Sequence, residues 1–397
     1  RGTPWVTLDH LLTPGNVQRI TDELAKMRGA AMKIGQMLSM DTGDVLPPEL
    51  TDILARLRAE ADFMPPKQLR QVLDREWGAG WIRQFQSFNV RPIAAASIGQ
   101  VHRAVLKDGT DLAIKVQYPG VAESIDSDVA NVGRLIKMSG LLPQGFEIDP
   151  YLAEASAQLQ DEADYALEAS HLIAFNDLLA GDDRFVLPQH HAPLTTKHVL
   201  AMTFVESAPI DAVQDRPQDE RDRCASQLLE LCLQELLTFG LMQTDPNFAN
   251  YRYDPLSERV VLLDFGATRA VPDTLARQFR SLFSAGLAGD SAELERVSVE
   301  MGFMDADTDE RDRGQILNLI DMVFAEVRRD AILDFAATDL SKRLQQAGQV
   351  LAESGYVPPP MPLDLLFVQR KIAGIFLLAT RIKARVEVRS MLERFVS

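Results

Sequence analysis

Residues 241–252 read LMQTDPNFANYR, and residues 260–269 read VVLLDFGATR. The first stretch sets Asp245 and Asn250 five positions apart around Pro246 and Asn247. The second sets Asp264 at the head of an Asp-Phe-Gly after four apolar residues. Three oxygen-bearing side chains within twenty residues admit three readings: loop hydrogen bonding, helix capping, or a site for a divalent cation and phosphate. Alone, neither stretch discriminates among them. The sequence upstream does.

AAASIGQVHRAVL (94–106), KDGT and DLAIKVQYPG (111–120) predict two strands joined by a tight turn on Asp108-Gly109. Alternation puts Leu112, Ile114 and Val116 on one face of the second strand and Ala113 and Lys115 on the other. A lysine among apolar strand residues either snorkels to solvent or meets an anion. The residues leading into the first strand include Ala94, Ala95, Ala96, Ser97, Gly99 and Gln100. Such a run lets backbone approach a phosphate and offer N–H groups to it, and it suits tight packing equally well. Further on, DEADYALEA (161–169) offers Asp161, Glu162, Asp164 and Glu168 within a helical pattern that starts at Tyr151. On a continuous helix Asp161, Asp164 and Glu168 cluster, and Glu162 lies about 120° from Glu168. Solvation explains such a face; so does one carboxylate for Lys115 and another for a second cation.

A small-residue loop, a hairpin lysine, an acidic helix, an Asp-x4-Asn and an Asp-Phe-Gly fourteen residues on stand in the order of the parts of a protein kinase. The departures are as informative. Gln243-Thr244 precedes Asp245 where a His-Arg is usual, and there is no Gly-x-Gly-x-x-Gly. GATRAVPDTLARQF runs from Gly266 straight into a helical pattern, without a long activation loop or an Ala-Pro-Glu. Ahead of these parts, TDELAKMRGAAMKIGQMLSM (21–40) lines Leu24, Met27, Ala31, Ile34 and Leu38 along one helix face. Lys33, Gln36 and Met37 share a face at i, i+3 and i+4. Gly35 inside that helix costs about 1 kcal/mol against alanine, which predicts close packing there.

With the KIGQ helix, AAASIGQVHRA, LAIKVQYPG, DEADYALEA, TDPNFAN and LDFGATR together, the chain resembles the UbiB/AarF-domain atypical kinases from about residue 20 to residue 275. AGIFLLATRIKARV near the C-terminus looks similar too. The resemblance implies an α+β, protein-kinase-like bilobal fold. Residues 1–85 would form a helical extension carrying the KxGQ motif, 86–206 a small strand-containing N-lobe with inserted helices, and 207–397 a large helical C-lobe. It also implies ATP or ADP with Mg2+ as cofactors. Lys115 would contact the phosphates and pair with Glu168, and the alanine-rich loop (Ala94, Ala95, Ala96, Ser97, Gly99, Gln100) would lie against the nucleotide. Asp245 would hold the catalytic-loop position, and Asn250 and Asp264 would hold magnesium. Lys33 and Gln36 would lie over the site, with Lys33 meeting Glu162 of a Glu-x-Asp motif.

The family is linked to ubiquinone or related isoprenoid-lipid metabolism, so quinone-precursor lipid and quinone-biosynthesis proteins are implied partners. A KxGQ helix covering the cleft favours ATPase or small-molecule chemistry over protein phosphorylation. Two alternatives stand beside it: a phosphotransferase acting on a protein or lipid, and a nucleotide-binding scaffold that switches without turnover.

Composition sets the outer bounds. The 397 residues suffice for two domains or lobes, and 46% hydrophobic with 25% charged residues is the balance of a soluble globular protein. A net charge of −16 argues against nucleic acid as a partner. The only cysteines, Cys224 and Cys232, are spaced for one helix, which excludes a disulfide framework and fits a reducing, cytoplasmic compartment. No apolar run is long enough to span a membrane. The chain starts at Arg1 without Met, which leaves open a removed anchor or targeting segment. After residue 369, Arg370, Lys371, Arg381, Lys383, Arg385, Arg389 and Arg394 outnumber Glu387 and Glu393. They form a candidate peripheral surface for anionic lipid, against the simpler account of a solvated helix face.

Overall fold

The computed structural model describes residues 24, 27–41, 63–139, 147–245, 247–356, 359 and 361–396. The side chains of residues 28, 36, 38–41, 139 and 352 lie outside that description. The chain divides into two compact units: residues 1–177 with 187–205 and 264–267, and residues 178–186 with 206–263 and 268–397.

Among the described residues the first unit holds helices α1 (Arg28–Asp41) and α2 (Pro66–Trp77) and strands β1 (Phe85–Phe88), β2 (Ala94–Ala95), β3 (Gly99–Leu106) and β4 (Asp111–Gln117). Helices α3 (Val121–Ser139), α4 (Asp149–Glu162) and α5 (Tyr165–Leu178) follow; β5 (Phe185–Val186) belongs to the second unit, and β6 (Val199–Thr203) returns to the first. The sheet runs β1-β3-β4-β6, all antiparallel, with β2 against β3. The expected hairpin forms. Gly109 takes φ +90°, which an L-residue adopts only at a cost, and Asp108 Oδ1 accepts the Thr110 N–H. Strand parity also holds. Leu112, Ile114 and Val116 pack with Leu69, Leu73 and Val199 in one core, while Ile34, Leu159 and Tyr165 belong to a second core.

The expected single helix from Tyr151 is instead two. It breaks at Ala163–Asp164, because Asp164 Oδ1 accepts the N–H groups of Ala166 and Leu167 and so caps α5. Two tertiary bonds fix the break: Tyr165 N–H donates to Lys197 C=O, and Gln117 Nε2 donates to Ala163 C=O. Helical-wheel angles carried across the whole acidic run therefore do not apply.

The second unit holds β7 (Ala208–Pro209), α6 (Gln218–Gln234), β8 (Leu241–Gln243), β9 (Tyr251–Asp254), β10 (Arg259–Leu262) and β11 (Thr268–Ala270). Then come α7 (Asp273–Ala288), α8 (Ser291–Met301), α9 (Glu310–Arg329), β12 (Leu333–Asp334), α10 (Leu340–Glu353), α11 (Leu363–Arg381), β13 (Arg385–Val386) and α12 (Val388–Val396). One sheet has the order β5-β10-β9-β7; β8 pairs β11 and β12 pairs β13. Cys224 and Cys232 do share a helix, α6, both buried and unbridged. That helix runs on into a π-turn, Glu235–Phe239, closed by Gly240 at φ +64°. The acidic stretch 305–314 turns helical at Glu310, since Asp309 Oδ1 accepts the N–H groups of Arg311 and Asp312 and so caps α9.

The C-terminal basic run is not one exposed face. Arg370 and Lys371 are buried, and Arg381, Arg385, Arg389 and Arg394 pair with Asp211, Asp222, Glu393 and Glu230. Carboxylates thus disperse the charge that the sequence seemed to concentrate. Among the described residues no helix is long and apolar enough to cross a membrane.

Candidate active site

Lys115 leaves β4 on the face opposite Leu112, Ile114 and Val116, and it meets an anion rather than solvent. Its ammonium donates to Glu168 Oε1 at 3.0 Å and Oε2 at 2.9 Å, and to Asp264 Oδ2 at 3.2 Å. Glu168 projects from the first turn of α5, where the positive end of the helix dipole favours a carboxylate. Asp264 turns its other oxygen to the Gly266 N–H at 3.0 Å, and its side chain keeps 35% exposure while Glu168 keeps 2%. Phe265 packs on Phe175 of α5, with ring centroids 4.9 Å apart.

A second pair lies on the same unit. Lys33 of α1 donates to Glu162 Oε1 at 2.6 Å, and Ser97 Oγ donates to Glu162 Oε2. A β-carbon on Gly29 would sit 2.8 Å from the Ser97 carbonyl, so α1 packs directly on the alanine-rich turn. One on Gly266 would lie 3.4 Å from both the Glu162 side chain and Glu168 Oε2. Glu162 and Glu168 thus flank one glycine although a continuous helix would have splayed them. The break at Ala163–Asp164 brings them together.

Here two ammoniums face three carboxylates, and the titration shifts follow. Burial pushes the Lys115 ammonium down, but Asp264 and Glu168 hold it well above its usual range. Burial pushes Asp264 up; Lys115, the Gly266 N–H and Lys33 outweigh that and hold it below the ordinary carboxylate value. Glu168 is the loser. Burial raises it, Lys115 lowers it, Asp264 and Glu162 raise it again, and it ends at about 7. A carboxylate surplus with one partly exposed oxygen donor is the chemistry that a divalent cation complements.

The other proposed ligands sit in the second unit. Asp245 and Asn250 lie on the loop between β8 and β9. Asp245 Oδ1 accepts the Asn247 N–H, Asn250 Nδ2 donates to the Asp245 carbonyl, and Asn247 caps the short turn Phe248–Asn250. Loop hydrogen bonding and capping are therefore real here, and they shape the loop that carries both side chains.

The alanine-rich run divides. Ala94 and Ala95 are exposed in β2, Ala96 donates its N–H to the Gly99 carbonyl, and Ser97 binds Glu162. Gly99 is small for packing: a β-carbon there would meet the Val116 carbonyl at 2.4 Å and the Tyr165 hydroxyl at 2.7 Å. Gln100 is fully buried, with Oε1 accepting the Met64 N–H and Nε2 meeting His102 Nε2. Its amide serves the strand packing. The Gln36 side chain lies outside the described residues.

Sequence reasoning missed Tyr165 and Lys371. Tyr165 is buried with its ring 5.1 Å from the Lys115 ammonium, and it reads in sequence as one more apolar helix position. Lys371 looked like surface. Yet it falls on the stripe Phe367, Lys371, Ile375 and Leu378, all buried, and that spacing was the available signal.

Fold and site define a kinase-like protein of the α+β class. Residues 56–298 match the model of the ABC1 atypical kinase-like domain, and the chain belongs to that family. It is 38% identical over 384 residues to "Atypical kinase COQ8B, mitochondrial" of Danio rerio, covering 96% of this chain and 61% of that protein. With "Atypical kinase COQ8, mitochondrial" of Saccharomyces cerevisiae it shares 37% over 391 residues, covering 96% and 76%. The chain thus spans about three fifths of the length of the zebrafish relative. Among solved structures, the complex of Rv3197 with erythromycin from Mycobacterium tuberculosis aligns with a TM-score of 0.66 at 24% identity, over 98% of this chain and 97% of that one. That likeness is one of fold.

Proposed function

We propose that this chain binds a magnesium–adenine nucleotide and hydrolyses it, in support of ubiquinone or related isoprenoid-lipid metabolism. The observation that supports this best is the unequal charge count around Lys115, where Asp264 shares an ammonium already engaged by Glu168. Asp264 and Asn250 would hold the metal, and Lys115, steadied by Glu168, would donate to phosphate oxygens. Magnesium held there would supply Lewis-acid charge that draws electron density from the phosphate oxygens and leaves the phosphorus more open to attack. Asp245 would accept a hydrogen bond from the attacking O–H and orient it, water in the case of hydrolysis. Lys33 would act on this cluster through Glu162, three residues before the start of α5, and the KIGQ helix would thereby tune the nucleotide site.

The test is nucleotide binding and turnover by the purified full chain, with magnesium, with chelator, and with liposomes or quinone-precursor mimics added. Magnesium-dependent release of ADP, increased by the lipid additions, is expected. No heat of nucleotide binding in the presence of magnesium would overturn the assignment.

A further inference from the structure

Four elements of the second unit converge on one ammonium. Lys371, from the middle of α11, donates to the Gln243 carbonyl at 2.8 Å and to the Tyr251 hydroxyl at 2.6 Å, and lies 3.2 Å from Glu235 Oε2. Glu235 Oε1 in turn accepts the Gln243 N–H at 3.2 Å. Lys371 and Glu235 are each 1% exposed. Burial pushes the Lys371 ammonium down, but Glu235 and Tyr251 raise it above its usual range, so it stays charged.

The positions of these partners in the chain carry the inference. Gln243 ends β8, two residues before Asp245; Tyr251 begins β9, one residue after Asn250. Both backbone groups of Gln243 are held by the pair, its carbonyl by Lys371 and its N–H by Glu235. The far end of the loop is held through the Tyr251 ring. One ion pair therefore pins both ends of the segment that carries Asp245 and Asn250. Stability does not explain it, because a buried ion pair is often no better than apolar residues of the same volume. Geometry does: two anchors leave a short loop few conformations, and displacement on the order of 1 Å at reacting groups is expensive in rate. The matched family segment ends at residue 298, so this support comes from helix α11 outside it.

We propose that Lys371, with Glu235, is a positioning residue that fixes the Asp245–Asn250 loop, an inference that rests on the catalytic role given to that loop above. Lys371 touches neither nucleotide nor metal in this account; it acts through Gln243 and Tyr251.

The test compares the full-length wild type with Lys371→Met/Glu235→Gln, which leaves no unpaired charge buried, and with the milder Tyr251→Phe. Amide hydrogen exchange of peptides covering 243–251 is the primary measurement. About tenfold faster exchange there is expected in the double variant, with a smaller increase for Tyr251→Phe and no change in peptides from the β3–β4 hairpin. Turnover of ATP at saturation should fall on the order of 100-fold in the double variant while KM changes little, a split that general loss of fold does not give. Unchanged exchange at 243–251 in both variants overturns the positioning role, whether or not the wild type turns over ATP. A wild type with no turnover overturns the proposed function alone, and the exchange data still judge Lys371. Should the double variant fail to fold, Tyr251→Phe decides: wild-type exchange there overturns the inference.

Discussion

Lys115 and Lys371 are both buried, and each meets a glutamate within 3.2 Å. Their surroundings differ in what they leave over. Lys371 faces one carboxylate, a hydroxyl and a carbonyl, and its charge is matched one to one inside a sealed pocket of side chains. Lys115 is divided between Glu168 and Asp264, and the second of these is partly exposed. A matched pair can only hold neighbours in place. An unmatched one leaves a carboxylate oxygen over, and electrostatic dissatisfaction and function tend to share an address.

The contrast can be broken most severely at Lys115 itself. Lys115→Met strands two carboxylates in and beside the core, and a loss of about 3–5 kcal/mol in urea unfolding is expected. Asp264→Asn cuts the other way. It should lower magnesium-dependent turnover on the order of 100-fold or more. It also leaves Lys115 and Glu168 as a matched pair, so the thermal midpoint should hold or rise; wild-type turnover in this variant would sink the role given to Asp264. Lys33→Ala removes the cationic partner of Glu162 and should change the ratio of ATP to ADP affinity, measured by calorimetry. An unchanged ratio would detach the KIGQ helix from the site.

A subtler effect lies in pH. Glu168 titrates near 7 in the fold against an ordinary 4.5, so the folded chain binds that proton more tightly than the unfolded one. Its contribution to stability is full below 4.5 and fades as pH rises through about 7. The melting advantage of wild type over Glu168→Gln should therefore shrink from about pH 5 to about pH 8. A constant difference would mean that the cluster's charge is balanced already. Smallest of all is Arg389→Ala, which breaks an exposed pair with Glu393 one helical turn away; less than about 0.5 kcal/mol is expected.

Much of the first cluster was legible because short-range rules carry it. Period-two alternation put Lys115 on the right face, the order of the motifs pointed to Asp264, and the family resemblance named Glu168 as the partner of Lys115 before any distance was known. The break in the acidic helix was not legible, since it depends on the Lys197 carbonyl and the Gln117 amide, both distant in sequence from Ala163. Without the break, Glu162 and Glu168 fall on different faces. The second cluster failed differently. A lysine between Arg370 and Arg381 in a basic run reads as solvated, and only its place on the apolar stripe betrays it. Gln243, noted as part of the Gln-Thr that precedes Asp245, gained a reason of its own: its backbone is the handle that the buried pair grips.

The break at Ala163–Asp164 has a mechanical side. Glu162 is the last residue of α4, beside Asp161, and no basic residue sits in that final turn. A carboxylate there opposes the negative end of the helix dipole, whereas Glu168, in the first turn of α5, is favoured by the positive end of its own. The two acids are thus wired with opposite polarity on either side of one joint. Lys33, reaching from another helix, sets a positive charge against that unfavourable end, so the last turn of α4 is the part of the joint that depends on a distant residue.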